Sequence, residues 1–64
     1  MRVTVDTINV PAFSTVGYGE GTDEHGQRVR FAGDHRPMRQ LGEYLDLTGP
    51  VDVEVEPWQL LGMV

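Results

Sequence analysis

Val51-Asp52-Val53-Glu54-Val55-Glu56 alternates valine with a carboxylate, without a break, for the whole run. A strand sends successive side chains to opposite faces. The run therefore predicts Val51, Val53 and Val55 toward a core and Asp52, Glu54 and Glu56 toward water. Thr48-Gly49-Pro50 before it is a stop-and-turn signal, and Pro57 punctuates it at the other end.

Working back from that strand, Met38, Leu41 and Leu45 recur at spacings of three and four, with Tyr44 beside them. This is the apolar stripe of a helix of about three turns. Gly33-Asp34-His35-Arg36-Pro37 precedes it. Asp34 suits an N-cap and Pro37 a first turn. Arg36 stands before a proline and is biased away from helix, so Pro37 is the alternative start. Gly42 weakens the helix by roughly 1 kcal/mol relative to alanine, so packing must hold it.

Residues 2–32 read as strands. Val3 and Val5 share one parity and Ile8 and Val10 the other, so a bulge or sharp bend is expected near Asp6-Thr7. Pro11 ends that ladder or marks an edge. Val16 and Tyr18 share a face, opposite Gly17, Gly19 and Gly21. Three glycines on one face allow tight coiling or the close approach of another part of the chain. Asp23-Glu24-His25-Gly26 is a turn, and Val29 and Phe31 then alternate with Arg28 and Arg30. Residues 13–32 thus form a hairpin. Phe31 belongs to the core, with Tyr18 and Tyr44 expected to cover it. Trp58 to Val64 reads as a last short strand that closes the core. Failing that, it would pair with a second copy or a partner, because exposed aromatic and leucine patches mark interfaces.

The fold class is mainly β with one helix, in the order β-β-β-α-β with a fifth strand after Pro57, as a single small barrel-like domain over residues 1–64. This order resembles the OB-fold, in which the helix sits between the third and fourth strands and plugs one end of a small barrel. Met38, Leu41 and Leu45 would be the plug. An SH3-like barrel, or an open sheet with a helix on one face, reads similarly. A second resemblance is to small actinobacterial phage proteins. It rests on Asn9 to Tyr18, on Phe31-Ala32-Gly33-Asp34-His35-Arg36-Pro37-Met38 and on Val55-Glu56-Pro57-Trp58-Gln59-Leu60. It implies an accessory factor acting on a host protein in the cytoplasm, and it brings no catalytic residues with it.

Sixty-four residues bury only about 60% of the unfolded surface, and the chain has no cysteine to staple it. Self-association as a homodimer is one source of extra stability. Ten acidic residues face five basic ones, all arginine, for a net charge of −5. That balance opposes binding to a polyanion, which needs several cationic contacts. The absence of lysine fits the codon usage of a GC-rich genome. No apolar run is long enough to span a bilayer, and Met1 to Val10 carries Arg2 and Asp6 in an alternating pattern unlike a signal peptide. A soluble, cytoplasmic protein without a membrane role is expected.

Catalytic chemistry has little to stand on. Ser14 is the only serine and precedes the glycine-rich strand rather than sitting on a strand-to-helix elbow. His25 in a turn and His35 in a loop read as solvated histidines, and their spacing matches no compact metal set. Gly17-Tyr18-Gly19-Glu20-Gly21 lacks the following helix that a phosphate loop requires, and Glu20 would repel an anion. The expectation is a non-enzymatic protein-interaction module without cofactor or metal. The rival is single-stranded nucleic-acid binding through the face that carries Arg28 and Arg30, which would need stacking aromatics. Tyr18, Phe31, Tyr44 and Trp58 are the main ones, but Phe31 is assigned to the core and Tyr18 and Tyr44 to its cover. The candidate interaction surface comprises Asp52, Glu54, Glu56, Trp58, Arg28 and Arg30. The bland alternative for the acids is a solvated strand face, partly neutralised by Arg28 and Arg30 and of little energetic weight.

Overall fold

A computed structural model describes residues 1–63. The elements are β1 (Arg2–Asn9), β2 (Val16–Asp23), β3 (Arg28–Asp34), α1 (His35–Thr48), β4 (Val51–Glu54), a 3-10 turn (Pro57–Gln59) and β5 (Leu60–Met63). All pairings are antiparallel, and the strand order is β4-β1-β2-β3-β5. Among the described residues β4 does not pair with β5. The sheet is therefore open, with one helix, and neither the OB-like nor the SH3-like barrel closes.

The valine and acid ladder behaves as its alternation requires. Val51 and Val53 are half-buried, Val55 is buried, and Asp52, Glu54 and Glu56 are exposed. Regular pairing covers Val51 to Glu54 against β1. Beyond it, the Val55 amide donates to the Met1 carbonyl at 2.7 Å.

β1 carries the expected irregularity. Val5 pairs with Gly21 and Thr7 with Glu20, which leaves Asp6 as an extra, bulged residue. The parity change keeps both Val3-Val5 and Ile8-Val10 on the inner side.

The glycines of β2 face inward because the space beside them is taken. A Cβ on Gly17 would stand 2.6 Å from Met38 Cβ and 3.0 Å from Val10 Cγ2. One on Gly19 would enter the Phe31 ring, and one on Gly21 would meet the Thr4 carbonyl. The core so formed is Val3, Val5, Val29, Phe31, Met38 and Val55, with Ile8, Val10, Val53 and Leu60 against it. Phe31 is seated over Gly19. Tyr18 does not cover it, contrary to expectation: it points to the opposite, outer face, and Tyr44 is half exposed.

The β2–β3 turn is a three-residue loop. The Asp23 amide donates to the Gln27 carbonyl at 2.9 Å, and Gly26 takes a φ of +81°. Asp23 is buried; its Oδ1 accepts the amides of His25 at 2.8 Å and Gln27 at 2.9 Å.

α1 is longer than its apolar stripe suggested, at 14 residues. It begins at His35, with Arg36 and Pro37 inside its first turn. Asp34 occupies the N-cap position without a side-chain cap bond. The start is held instead from the β1–β2 loop. The His35 amide donates to the Thr15 carbonyl at 3.1 Å, and His35 Nδ1–H to the Ser14 carbonyl at 2.7 Å. These bonds also place His35 in the helix rather than in a loop. Gly49, at φ +84°, ends the helix and donates to the Leu45 carbonyl at 2.8 Å. Met38 inserts beside Gly17, Gly33 and Val10, so α1 covers the end of the sheet where β1 finishes and β2 begins. Leu41 and Leu45 are only half-buried.

Candidate functional site

The outer face of β2 and β3 carries one exposed aromatic, Tyr18, and two of the five arginines, Arg28 and Arg30. Strand parity sets Tyr18, Glu20 and Thr22 beside Ala32, Arg30 and Arg28 in register. This follows from the inward glycines, since residues alternating with Gly17, Gly19 and Gly21 have only the outer face left.

The two arginines have different surroundings. The Asp6 bulge carries its carboxylate to Arg28, which donates Nη1–H to Oδ2 at 2.7 Å and Nη2–H to Oδ1 at 3.1 Å. Arg28 Nη1–H also reaches Thr22 Oγ1 at 3.2 Å, and Nη2 lies 3.5 Å from Glu20 Oε1. The forked bond from Arg28 holds the Asp6 carboxyl below its ordinary value, and the same bond raises the Arg28 guanidinium. Glu20 sits opposite Arg30 in the ladder but leans to Arg28. Among the described residues Arg30 has no carboxylate within ion-pair distance, so it stands exposed and free on this face.

Arg30 borders a shallow cleft of about 370 Å³ with Thr7, Asn9, Tyr18, Glu20 and Leu61. A second cleft of about 290 Å³ lies between Val16, Ala32, Trp58, Gln59 and Leu61. Leu61 is common to both. It owes that position to a register shift: Arg30 pairs with Gly62 and Phe31 with Leu60, which leaves Leu61 as the bulged residue of β5. Bulges of this kind re-aim a side chain. Leu61 is 55% exposed and Trp58 80% exposed. Trp58 therefore does not close the core, contrary to the reading of residues 58–64 as a core-closing strand. Leu60 does pack against it, and Val64 lies outside the described residues.

The acids of β4 do not join this site. Two strands separate β4 from β3, a distance of about 14 Å at the usual strand spacing. The expected neutralisation by Arg28 and Arg30 is overturned on that ground. Asp52 Oδ1 instead accepts the Thr4 hydroxyl at 2.6 Å, and Glu54 Oε1 accepts the terminal amine of Met1 at 3.1 Å. The Glu56 amide donates to Gln59 Oε1 at 2.9 Å at the start of the 3-10 turn. Of the six candidates, only Arg28, Arg30 and Trp58 line the β2–β3 side. Tyr18, Asn9, Thr7 and Leu61 were not among them. Parity puts Tyr18 opposite the glycine face, but that the glycine face is the inner one follows only from Phe31 and Met38 filling the space beside Gly19 and Gly17.

His25 and His35 lie at opposite ends of β3, and His35 binds the main chain of Ser14 while the Ser14 hydroxyl accepts the Val16 amide at 3.2 Å. Among the described residues no three His, Asp or Glu side chains gather as a metal set. No described helix is long and apolar enough to cross a membrane. No family model, curated protein or solved structure matches the chain.

Proposed function

We propose that this chain is a non-enzymatic interaction module that takes a protein partner on the outer face of β2 and β3. One observation carries the proposal. Tyr18, Leu61, Trp58 and Arg30, which has no ion-pair partner among the described residues, form an exposed run across two clefts that share Leu61. Tryptophan, tyrosine and arginine are the residues that most often dominate protein interfaces. A net charge of −5 favours a protein over a polyanion. The strand order, with a helix between β3 and β4, supports an OB-like outline opened between β4 and β5. Action on a host factor, as a phage accessory protein, rests on the sequence resemblance alone.

A second reading has its own support. Tyr18 lies diagonal to the free Arg30 on an uncovered sheet, an arrangement suited to stacking a base beside a phosphate. Trp58 fluorescence during titration with a single-stranded oligonucleotide at low salt separates the two. Micromolar binding that weakens with salt and disappears in Tyr18→Ala plus Arg30→Ala selects nucleic acid. Capture from a host lysate of one reproducible protein, lost in Arg30→Glu and in Trp58→Ala, selects the protein reading. Failure of both removes this face as a binding site.

A further inference from the structure

Phe13 is fully exposed, at 105% of its reference area, and adopts a φ of +63°. Exposing a whole aromatic ring is unfavourable, and a bulky residue with positive φ is strained. Neither contributes to the core. The segment is nevertheless held in place, because Ser14 and Thr15 are tied to the start of α1 through His35. The Ser14 amide also donates to the Pro11 carbonyl at 3.3 Å. The ring is thus presented by a braced turn.

The surroundings of Phe13 state a preference of charge. Pro11, Ala12 and Phe13 share a cleft with His35 and Arg39, and Arg39 continues into a neighbouring cleft with Arg36, Gln40 and Glu43. Both arginines are exposed, and among the described residues neither has a carboxylate within ion-pair distance. Asp34 borders the Trp58 cleft, and Glu43 is one helical turn beyond Arg39. Two of the five cations of an acidic chain therefore stand unpaired beside a presented aromatic ring.

We infer that Pro11–Phe13 with Arg36 and Arg39 is a second contact surface, whose occupant is an acidic protein segment with an apolar side chain for Phe13. Charge complementarity selects the acidic segment, and the braced turn supplies an apolar anchor whose main chain is already ordered. The surface is distinct from the Tyr18, Arg30 and Trp58 run and does not depend on it.

The probe is an acetylated oligoglutamate peptide with one central leucine, titrated into the isotopically labelled chain and followed by amide chemical shifts. The expected shifts fall on the amides of residues 12–15, 35–36 and 38–40 and weaken as salt is raised. Arg36→Ser plus Arg39→Ser abolishes them, and Phe13→Asn weakens binding several-fold. All three side chains are exposed, so a dispersed spectrum keeps the variants interpretable. No shifts at millimolar peptide, or shifts that persist in the double arginine variant, overturn the inference. So does a single-stranded oligonucleotide that binds these residues when the peptide does not. Tyr18→Ala plus Arg30→Ala leaves the peptide shifts unchanged, which separates this surface from the β2–β3 site.

Discussion

Gly19 lies directly across the β2–β3 ladder from Phe31, and the aromatic ring folds over it into the space a Cβ would occupy. The largest core side chain and the absence of one are thus a matched pair. A chain of this size has a stability of only roughly 0.05–0.15 kcal/mol per residue, so the fit between them is a large part of the total.

Gly19→Ala is expected to destabilise by about 1–3 kcal/mol, because the ring must leave its seat in a packed core. Gly21→Ala is expected to cost more, since its Cβ meets the Thr4 main chain rather than a side-chain tip. Urea unfolding of the two variants checks the order. Equal or reversed midpoints would show that β1 and β2 adjust more easily than the ring does.

Phe31→Ala removes the ring and leaves the Gly19 seat empty. A loss of about 3–5 kcal/mol is expected, a large share of the roughly 3–10 kcal/mol that a chain of this length holds, so that unfolding is well advanced at moderate temperature. Phe31→Leu is expected to remain folded with a lower midpoint. Circular dichroism at several temperatures distinguishes them, and a folded Phe31→Ala would mean that the sheet collapses onto the glycine face.

Asp23 organises the β2–β3 turn through two amide bonds to one carboxylate oxygen. Asp23→Ala leaves those amides without their acceptor, at a cost of about 1–3 kcal/mol. Asp23→Asn keeps an acceptor in place and is expected to cost less. Amide exchange at His25 and Gln27 should quicken in the alanine variant. Unchanged exchange there would assign the turn to Gly26 alone.

Arg28 holds the Asp6 carboxyl below its ordinary value of 3.8, so the folded chain takes up this proton less readily than the unfolded one. The stabilisation is present in full above that value and is lost as pH falls through the lower, folded value. Both side chains are partly solvated, which keeps the effect modest and salt-sensitive. Urea midpoints for Asp6→Asn should fall less steeply with acid than those of the parent chain. Parallel curves would show that the pair carries no net stability.

Phe13→Asn relieves a bulky side chain from positive φ and removes an exposed ring. Asparagine tolerates that conformation, and a gain of about 1 kcal/mol, or about 4–8 °C in Tm, is expected. A lower Tm would mean that the ring packs in solution.

Much of this architecture could be read from short stretches. The alternation of Val51 to Glu56, the parity change at Asp6 and the glycine face of β2 are local patterns, and each corresponds to an element of the fold. What escaped was non-local. Alternation assigns Tyr18 a side but does not say which side is inside; that depends on Met38 and Phe31 arriving over the glycines. The partner of Arg28 depends on strand order, since β2 lies between β1 and β3 and the bulged Asp6 carboxylate reaches across it. The helix start at His35 agrees with Asp34 as N-cap; the choice against Pro37 rests on bonds from Ser14 and Thr15, which a residue-by-residue reading does not contain. Leu61 was hidden for a similar reason, since its direction is set by a shift between β5 and β3.

The bulge at Asp6 also governs how this chain can change in length. It is a single uncompensated residue between two runs of opposite parity. Deleting it would make β1 continuous and rotate Ile8 and Val10 from the core side to the solvent side. Adding a residue elsewhere in residues 2–9 would do the same to whichever run follows it. The loop at residues 11–15 has no such parity to keep. Insertions and deletions in natural or engineered variants should therefore gather in that loop and be excluded from β1, although the two segments are neighbours in sequence.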